Sequence, residues 1–390
     1  MVTRRTFLGG AGALAGGLAT RGVASATFGD TPLAGTISVA VVAPFTGDSI
    51  RYGEQIGNGV RAAFDDANLL RGALDRAFAM HTYDDQNLLA EGLVNAQFAC
   101  DDPTIVAVIG HLSGRITEAA MRTYQGAQMQ VICPASSYDR LTAHGYGNLL
   151  RLVTKDSSEG ILAARHINTT LKPKAAVALY QDGDYGADVV AGFVAEMQGD
   201  KVTTTPLSFS WQKPDFAAAA KSALAAKPDV VFLSGQAADM GPILPALAAA
   251  GYSGPIYASQ GFFDPATITK FGKLAEGLTI SSSMPPLAIA PGAFRIKNDF
   301  ERKYGAMTPL SAFAYAAAQI IVAVVRRTNA IDRIAISRAL NVTTPFNTVV
   351  GAIAFANDGD PVEPNVYFYA VKDGAWRYVS SAIPSSYIVR

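Results

Sequence analysis

The chain has 390 residues, 49% hydrophobic and 16% charged, which is enough apolar material for two lobes with separate cores and far from a disordered composition. Formal net charge is +0; without Arg4, Arg5 and Arg21 in the acid-free N-terminal stretch, 29 basic side chains face 32 acidic ones. No block of Lys or Arg remains, so the sequence carries no electrostatic footprint for nucleic acid.

The first 26 residues read as a leader. Thr3-Arg4-Arg5-Thr6-Phe7-Leu8 resembles a twin-arginine export signal. Gly9 to Ala19 is a short apolar region rich in Gly and Ala, and Ala24-Ser25-Ala26 fits an A-x-A cleavage site, with the mature chain starting near Thr27. The run is too short and too Gly-rich to serve as a membrane span. The expected destination is the periplasm or the cell exterior.

Strands and helices then alternate. Ile37–Val42 is a strand ending in Pro44-Phe45-Thr46-Gly47, Tyr52 to Asn68 a helix, Ala77–Tyr83 a strand ending in Asp84-Asp85, and Leu88–Cys100 a helix. Ile105 to Ile109 is a continuous apolar, β-branched run, which suits a strand buried on both faces. It ends in the small-residue turn Gly110-His111-Leu112-Ser113-Gly114-Arg115, and the spacing of Ile116, Ala119, Ala120, Thr123 and Tyr124 predicts a helix after it. Met129 to Cys133 is a second buried strand, ending in Pro134-Ala135-Ser136-Ser137. In an open parallel sheet, ligands bind outside the carboxyl ends of the strands, and a helix N-terminus there favours an anion. These two polar turns are either a small-molecule cradle or two ordinary strand-to-helix loops.

The pattern continues with strand Asn148–Val153 and helix Ser157–Leu171, then restarts at Ala175–Tyr180. Helices are expected at Ala187–Gln198, Asp215–Ala226 and Met240–Ala250, and strands at Val202–Leu207, Val230–Leu233, Pro255–Ala258 and Leu278–Ser282. Alternation of this length means parallel α/β layers, and the doubled pattern means two lobes. The last third differs: helices Phe294–Tyr304 and Ser311–Arg327, a strand Val349–Phe355, and a hairpin of Val366–Val371 and Trp376–Val379.

Two cysteines occur, Cys100 and Cys133. Cys100 falls at the amino end of the sheet and Cys133 at the carboxyl end of its strand. A five-residue strand is about 17 Å long, whereas bridged Cα atoms lie about 5.5 Å apart. Two free thiols are therefore expected.

No dinucleotide fingerprint follows the first strand, and there is no Walker loop, H-E-x-x-H or G-x-S-x-G. The four histidines lack metal-ligand spacing. His111 could be a general base; a hydrogen-bonded strut is the favoured reading. Asp182-Gly183-Asp184-Tyr185-Gly186 lacks the third acid, the sixth-place Gly and the closing Glu of a calcium loop. No enzyme chemistry, metal or cofactor is called for.

Two stretches, VIGHLSG followed by spaced Thr, Ala and Tyr, and ICPASS followed by Leu-Thr, resemble the leucine/isoleucine/valine family of type I periplasmic solute-binding proteins, which feed ABC importers. The resemblance runs from about Thr36 to the C-terminus. It implies two doubly wound parallel-sheet lobes joined by three hinge crossings, near Val153, near Met284-Pro285 and near Ala356. Lobe 1 is then 27–153 plus 285–355, and lobe 2 is 154–284 plus 356–390. It implies a monomer that takes a small-molecule ligand to an inner-membrane permease.

The resemblance also implies a site. Ser113-Gly114 and Ala135 with Ser136 and Ser137 match the turns that hold a ligand carboxylate and ammonium. Gly114 lacks the family's hydroxyl, which leaves a gap, and Arg115 beside it is a candidate anion contact or a solvated helix-start residue. Tyr52 and Tyr185 match aromatic walls on the two lobes. Gln236 stands where the family often has an aromatic. Gln260 stands where it has a glutamate facing the ligand ammonium, with Asp264 or Asp239 as candidate replacements. A buried ammonium without a counter-charge is costly, so the expected ligand is a small polar solute, carboxylate- or amide-bearing, and not a standard branched-chain amino acid. Two other readings are a ligand sensor for a periplasmic receptor kinase and an exported α/β enzyme.

Overall fold

The computed structural model describes residues 33–181, 184–210, 213–290, 292–340, 344–362 and 364–382. The expected leader, its cleavage site and the start of the rejected calcium loop lie outside the described residues.

In chain order the elements are β1 (Thr36–Ala43), α1 (Ile50–Leu69), β2 (Ala77–Asp84), α2 (Leu89–Asp101), β3 (Ile105–Gly110), α3 (Gly114–Gly126), β4 (Gln130–Cys133) and β5 (Leu149–Arg151). There follow α4 (Asp156–Thr170), β6 (Ala175–Gln181), α5 (Asp184–Gly199), β7 (Thr203–Phe209), α6 (Phe216–Ala225), β8 (Val230–Ser234), α7 (Ala237–Met240), α8 (Ile243–Ala249), β9 (Ile256–Ala258), α9 (Pro265–Phe271) and β10 (Thr279–Ser282). The chain ends with α10 (Ala293–Tyr304), α11 (Pro309–Thr328), α12 (Arg333–Leu340), β11 (Phe346–Thr348), β12 (Gly351–Ile353), β13 (Val366–Lys372) and β14 (Ala375–Ala382).

Two sheets organise these elements. The first has the order β2-β1-β3-β4-β5 and is parallel throughout. The second has the order β14-β13-β10-β9-β8-β6-β7; its β7-β6-β8-β9-β10 part is parallel and repeats the strand order of the first sheet. The hairpin β13-β14 adds antiparallel strands to the β10 edge. Every residue of β3, β4 and β8 is buried, because helices cover both faces. That burial is why these strands read as unbroken apolar runs rather than alternating ones.

The first sheet shares a core with the late helices: Val39, Val41 and Ile109 pack in one cluster with Phe313, Ile320 and Val324 of α11. α11 is the one helix among the described residues long and apolar enough to cross a membrane, and 78% of its most apolar stretch is buried inside the protein. It lies close against α1: a Cβ on Gly59 would sit 2.3 Å from the Ser311 carbonyl oxygen. Only a residue without a side chain permits that approach.

The chain crosses between the sheets three times, after β5, after β10 and before β13. The crossings are bonded to one another. The Thr154 backbone N–H donates to Ser283 Oγ at 3.1 Å, and the Thr154 hydroxyl donates to the Asn365 carbonyl at 3.1 Å. Tyr369 closes the set by donating to the Met284 carbonyl at 2.9 Å.

Some expectations need correction. Val349–Phe355 is not one strand: Val349 and Val350 turn the chain between antiparallel β11 and β12, with Gly351 at φ 101°. The helix expected over Met240–Ala250 breaks at Gly241-Pro242 into α7 and α8. Two short helices, α9 and α12, were not expected, although Asp264 with Pro265 caps α9 in the usual way. α5 is regular only beyond Gly186, whose φ of 121° admits glycine alone. Cys100 and Cys133 are both free and buried.

Candidate functional site

A cavity of about 330 Å³ lies between the two sheets. Its walls are the loops at the carboxyl ends of strands from both. Ser113 and Gly114 follow β3, Ala135 to Ser137 follow β4, and Asp156 follows β5. From the other side, Tyr185 follows β6, Gln236 and Asp239 follow β8, and Gln260, Phe263 and Asp264 follow β9. This is the crevice position for open parallel sheets, here doubled. Tyr52 of α1 and Tyr138 add aromatic surface.

Of the residues the sequence singled out, Tyr52, Ser113, Gly114, Ala135, Ser136, Ser137, Tyr185, Gln236 and Gln260 line this cavity. Arg115 does not. It is the second residue of α3 and exposed. Helical rotation turns it outward because Ile116 and Thr117, next along the chain, take the buried face. The gap expected beside Gly114 is filled. A Cβ there would lie 2.3 Å from the Tyr138 Cβ and 2.6 Å from Ser136 Oγ, so the tyrosine occupies the room a larger residue would need.

Ser113 caps α3 in extended conformation, with no hydrogen bond from its side chain to the helix. The helix start therefore offers backbone N–H groups without a side-chain acceptor from the cap. Ser136 Oγ is buried and has no partner among the described residues. Asp156, at the start of α4, is 2% exposed. Its carboxylate takes a hydrogen bond from Ser137, and its Oδ1 is buried without a partner among the described residues. Burial pushes its pKa well above the usual carboxylate range against the Ser137 bond, and the nearby charges of Glu159, Asp139 and Asp188 push the same way.

Beneath the cavity the side chains are spent on structure. Gln260 Oε1 accepts the Ser283 backbone N–H at 2.7 Å and the Ser282 hydroxyl at 3.0 Å. The Gln260 backbone N–H and the Ser281 hydroxyl both donate to Glu159 Oε1, at 2.8 and 2.6 Å. Burial raises Glu159 from 4.5 to about 7, with these two bonds opposing. The Tyr185 hydroxyl donates to Ser259 Oγ at 3.1 Å and accepts the Gly261 N–H at 3.0 Å, which fixes the ring as a wall.

His111 is fully buried and has the geometry of a strut. Its Nδ1–H donates to Asp85 Oδ2 at 2.8 Å, since a carboxylate can only accept, and Nε2 accepts the Tyr124 hydroxyl at 2.9 Å. Both ring nitrogens are occupied, and His111 does not line the cavity.

Sequence reading missed Asp156 as a site residue. An acid at a helix start is ordinary, and nothing local marks this one as buried in a cleft. It also missed Arg51, which donates to the Tyr52 hydroxyl at 2.6 Å and places NH1 3.6 Å from Asp264 Oδ2.

The profile of the periplasmic binding protein family matches residues 36–375. The chain belongs to that family. Within it the chain is similar to leucine/isoleucine/valine-binding proteins. A Leu/Ile/Val-binding protein homolog of Brucella melitensis is 24% identical over 91% of this chain and 95% of its own length. The Leu/Ile/Val-binding protein of Citrobacter freundii is 29% identical over 63% of this chain and 67% of its own. In fold, a leucine-binding protein from Thermotoga maritima superposes with a TM-score of 0.81 at 23% identity, covering 90% of this chain and 99% of that one. A solute-binding protein from Rhodopseudomonas palustris, solved with 3,4-dihydroxybenzoic acid, gives 0.80 at 17% identity over 89% and 97%. Members of this family are periplasmic substrate-binding proteins and not enzymes.

Proposed function

We propose that this chain is exported through its twin-arginine leader, captures a small polar solute in the interlobe cleft by hinge closure, and delivers it to an ABC importer in the inner membrane. Lobe 1 comprises 27–153 plus 285–355, and lobe 2 comprises 154–284 plus 356–390. The observation that carries the reading is a cavity between two sets of strand ends in which Ser136 Oγ and Asp156 Oδ1 are buried without partners among the described residues. Buried polar atoms are normally satisfied, and a ligand in the cleft supplies partners for both.

The solute bonds at one end to Ser113, Ser136 and Ser137 through an acceptor such as a carboxylate or amide oxygen. It gives a proton-bearing group to Asp156. Solved neighbours hold leucine, isoleucine, benzoate and 3,4-dihydroxybenzoic acid, so the scaffold supports amino acids and other acids alike. Gln236, Asp239 and Asp264 stand in the lining beside Leu112, Phe263 and Leu310, and the cost of stripping water from the two carboxylates supports a ligand other than a branched-chain amino acid. Moving the hinge from 1:99 to 99:1 closed takes about 5.5 kcal/mol of differential affinity.

Native mass spectrometry of protein taken from its own periplasm, followed by denaturing release, tests the reading. A released solute with an oxygen acceptor and a donor group supports it. Micromolar or tighter leucine binding by calorimetry would sink the ligand assignment, and an unchanged radius of gyration at saturation would sink hinge closure.

A further inference from the structure

The cavity has two acidic poles. One is Asp156 beside Ser137, whose charged neighbours are Glu159, Asp139 and Asp188. The other surrounds Tyr52, whose charged neighbours are Arg51, Asp239 and Asp264. Among the described residues lining the cavity there is no lysine or arginine. Arg51 stands outside the lining, 39% exposed, with its guanidinium 4.5 Å from the centre of the Tyr52 ring. At the Tyr52 pole two carboxylates thus share one guanidinium: Asp264 Oδ1 accepts the Ala266 N–H at 2.7 Å and its Oδ2 meets Arg51 loosely at 3.6 Å, while Asp239 is exposed.

We propose that the Tyr52 pole, between Asp239 and Asp264, is a subsite for a second cationic group, so that the solute is a small diamino compound of the basic amino acid class. This rests on the cleft being the ligand site. An apolar tail placed there strips water from two carboxylates and returns no hydrogen bond. A second ligand carboxylate meets like charge. An ammonium or guanidinium replaces the lost water, neutralises the surplus negative charge left by Arg51, and meets the Tyr52 ring, which attracts cations.

Calorimetric titration of the mature chain with L-lysine, L-ornithine, L-norleucine, L-leucine, L-glutamate and benzoate tests this. Norleucine is lysine without its terminal ammonium. The expected result is lysine or ornithine binding at least 100-fold tighter than norleucine. Asp239→Asn combined with Asp264→Asn should lower that affinity at least tenfold; asparagine still caps α9, so the variant keeps its helix. Ser136→Leu, which blocks the other pole, should abolish binding of every compound. Norleucine, leucine, glutamate or benzoate binding as tightly as lysine, and lost in Ser136→Leu, overturns the second cation and leaves the cleft reading standing. Lysine affinity unchanged in the double variant also overturns it. Binding that survives Ser136→Leu, or silence from the whole panel, overturns both.

Discussion

The wall of the cleft on the first sheet meets a ligand with small residues, the hydroxyls and backbone of Ser113, Gly114, Ala135, Ser136 and Ser137. The facing wall brings amides and carboxylates, Gln236, Gln260, Asp239 and Asp264, and Asp156 stands where the chain passes from one to the other. Both walls stand on the carboxyl ends of parallel strands in the same spatial order. The scaffold is therefore common and the side chains alone differ. The strand ends set where the cleft lies, while the charged side chains distinguish the second wall from the first.

The largest expected effect lies at the seam between the walls. Arg151 is fully buried and donates to Asp360 Oδ1 through Nε at 2.8 Å, to the Tyr138 carbonyl at 2.7 Å and to the Thr142 hydroxyl at 2.7 Å. It holds the end of β5, the Tyr138 loop and the third crossing together. Arg151→Ala removes the buried partner of Asp360, leaving it Lys155 at 3.6 Å, and should cost about 3 kcal/mol in urea unfolding. A loss below about 1 kcal/mol would remove the seam from the comparison.

Next comes Glu159, beneath the second wall. Its pKa of about 7 in the fold exceeds its ordinary 4.5, so the native state keeps a proton that the unfolded chain has released. Stability should fall as pH rises from about 4.5 to about 7 and level off above, by on the order of 3 kcal/mol. Both donors land on Oε1, so glutamine can keep them. Glu159→Gln should raise the melting temperature at pH 8 and leave it unchanged near pH 4.5. Equal gains at both would show that titration is not the cause.

The first wall can be tested by adding the hydroxyl that the family resemblance leads one to expect at Gly114. Gly114→Thr restores a hydroxyl but drives a Cβ into Tyr138. It should cost about 1–3 kcal/mol, and Tyr138→Ala in the same chain should recover most of that in thermal unfolding. If Gly114→Thr alone is neutral, the packing account of this wall is wrong. The smallest effect is expected from Arg51→Met. Its pair with Asp264 is half exposed and worth less than about 1 kcal/mol, vanishing in high salt.

The first wall was legible in the sequence because its parts are local: a β-branched run, a small-residue turn and a helix start fall within a few residues of one another. Tyr185, like Tyr52, was placed by the resemblance to the family. The second wall was less legible. Gln236 and Gln260 were placed only by comparison with a family pattern, and Asp156 gave no signal because burial at a hinge is a property of three distant crossings. Arg115 misled because charge suggests function, whereas helix phase sends it to solvent. The split of Val349–Phe355 into β11 and β12 was hidden because apolar residues on both sides of Gly351 mask a turn.

Gln260 lines the cleft and also holds Ser282 and Ser283, where the chain leaves the second sheet for the first. Its oxygen is committed to that backbone, so only its amide nitrogen is free to meet cargo. Recognition and hinge stiffness thus share one side chain. Any substitution at this position changes the cleft lining and the footing of the second crossing in one step.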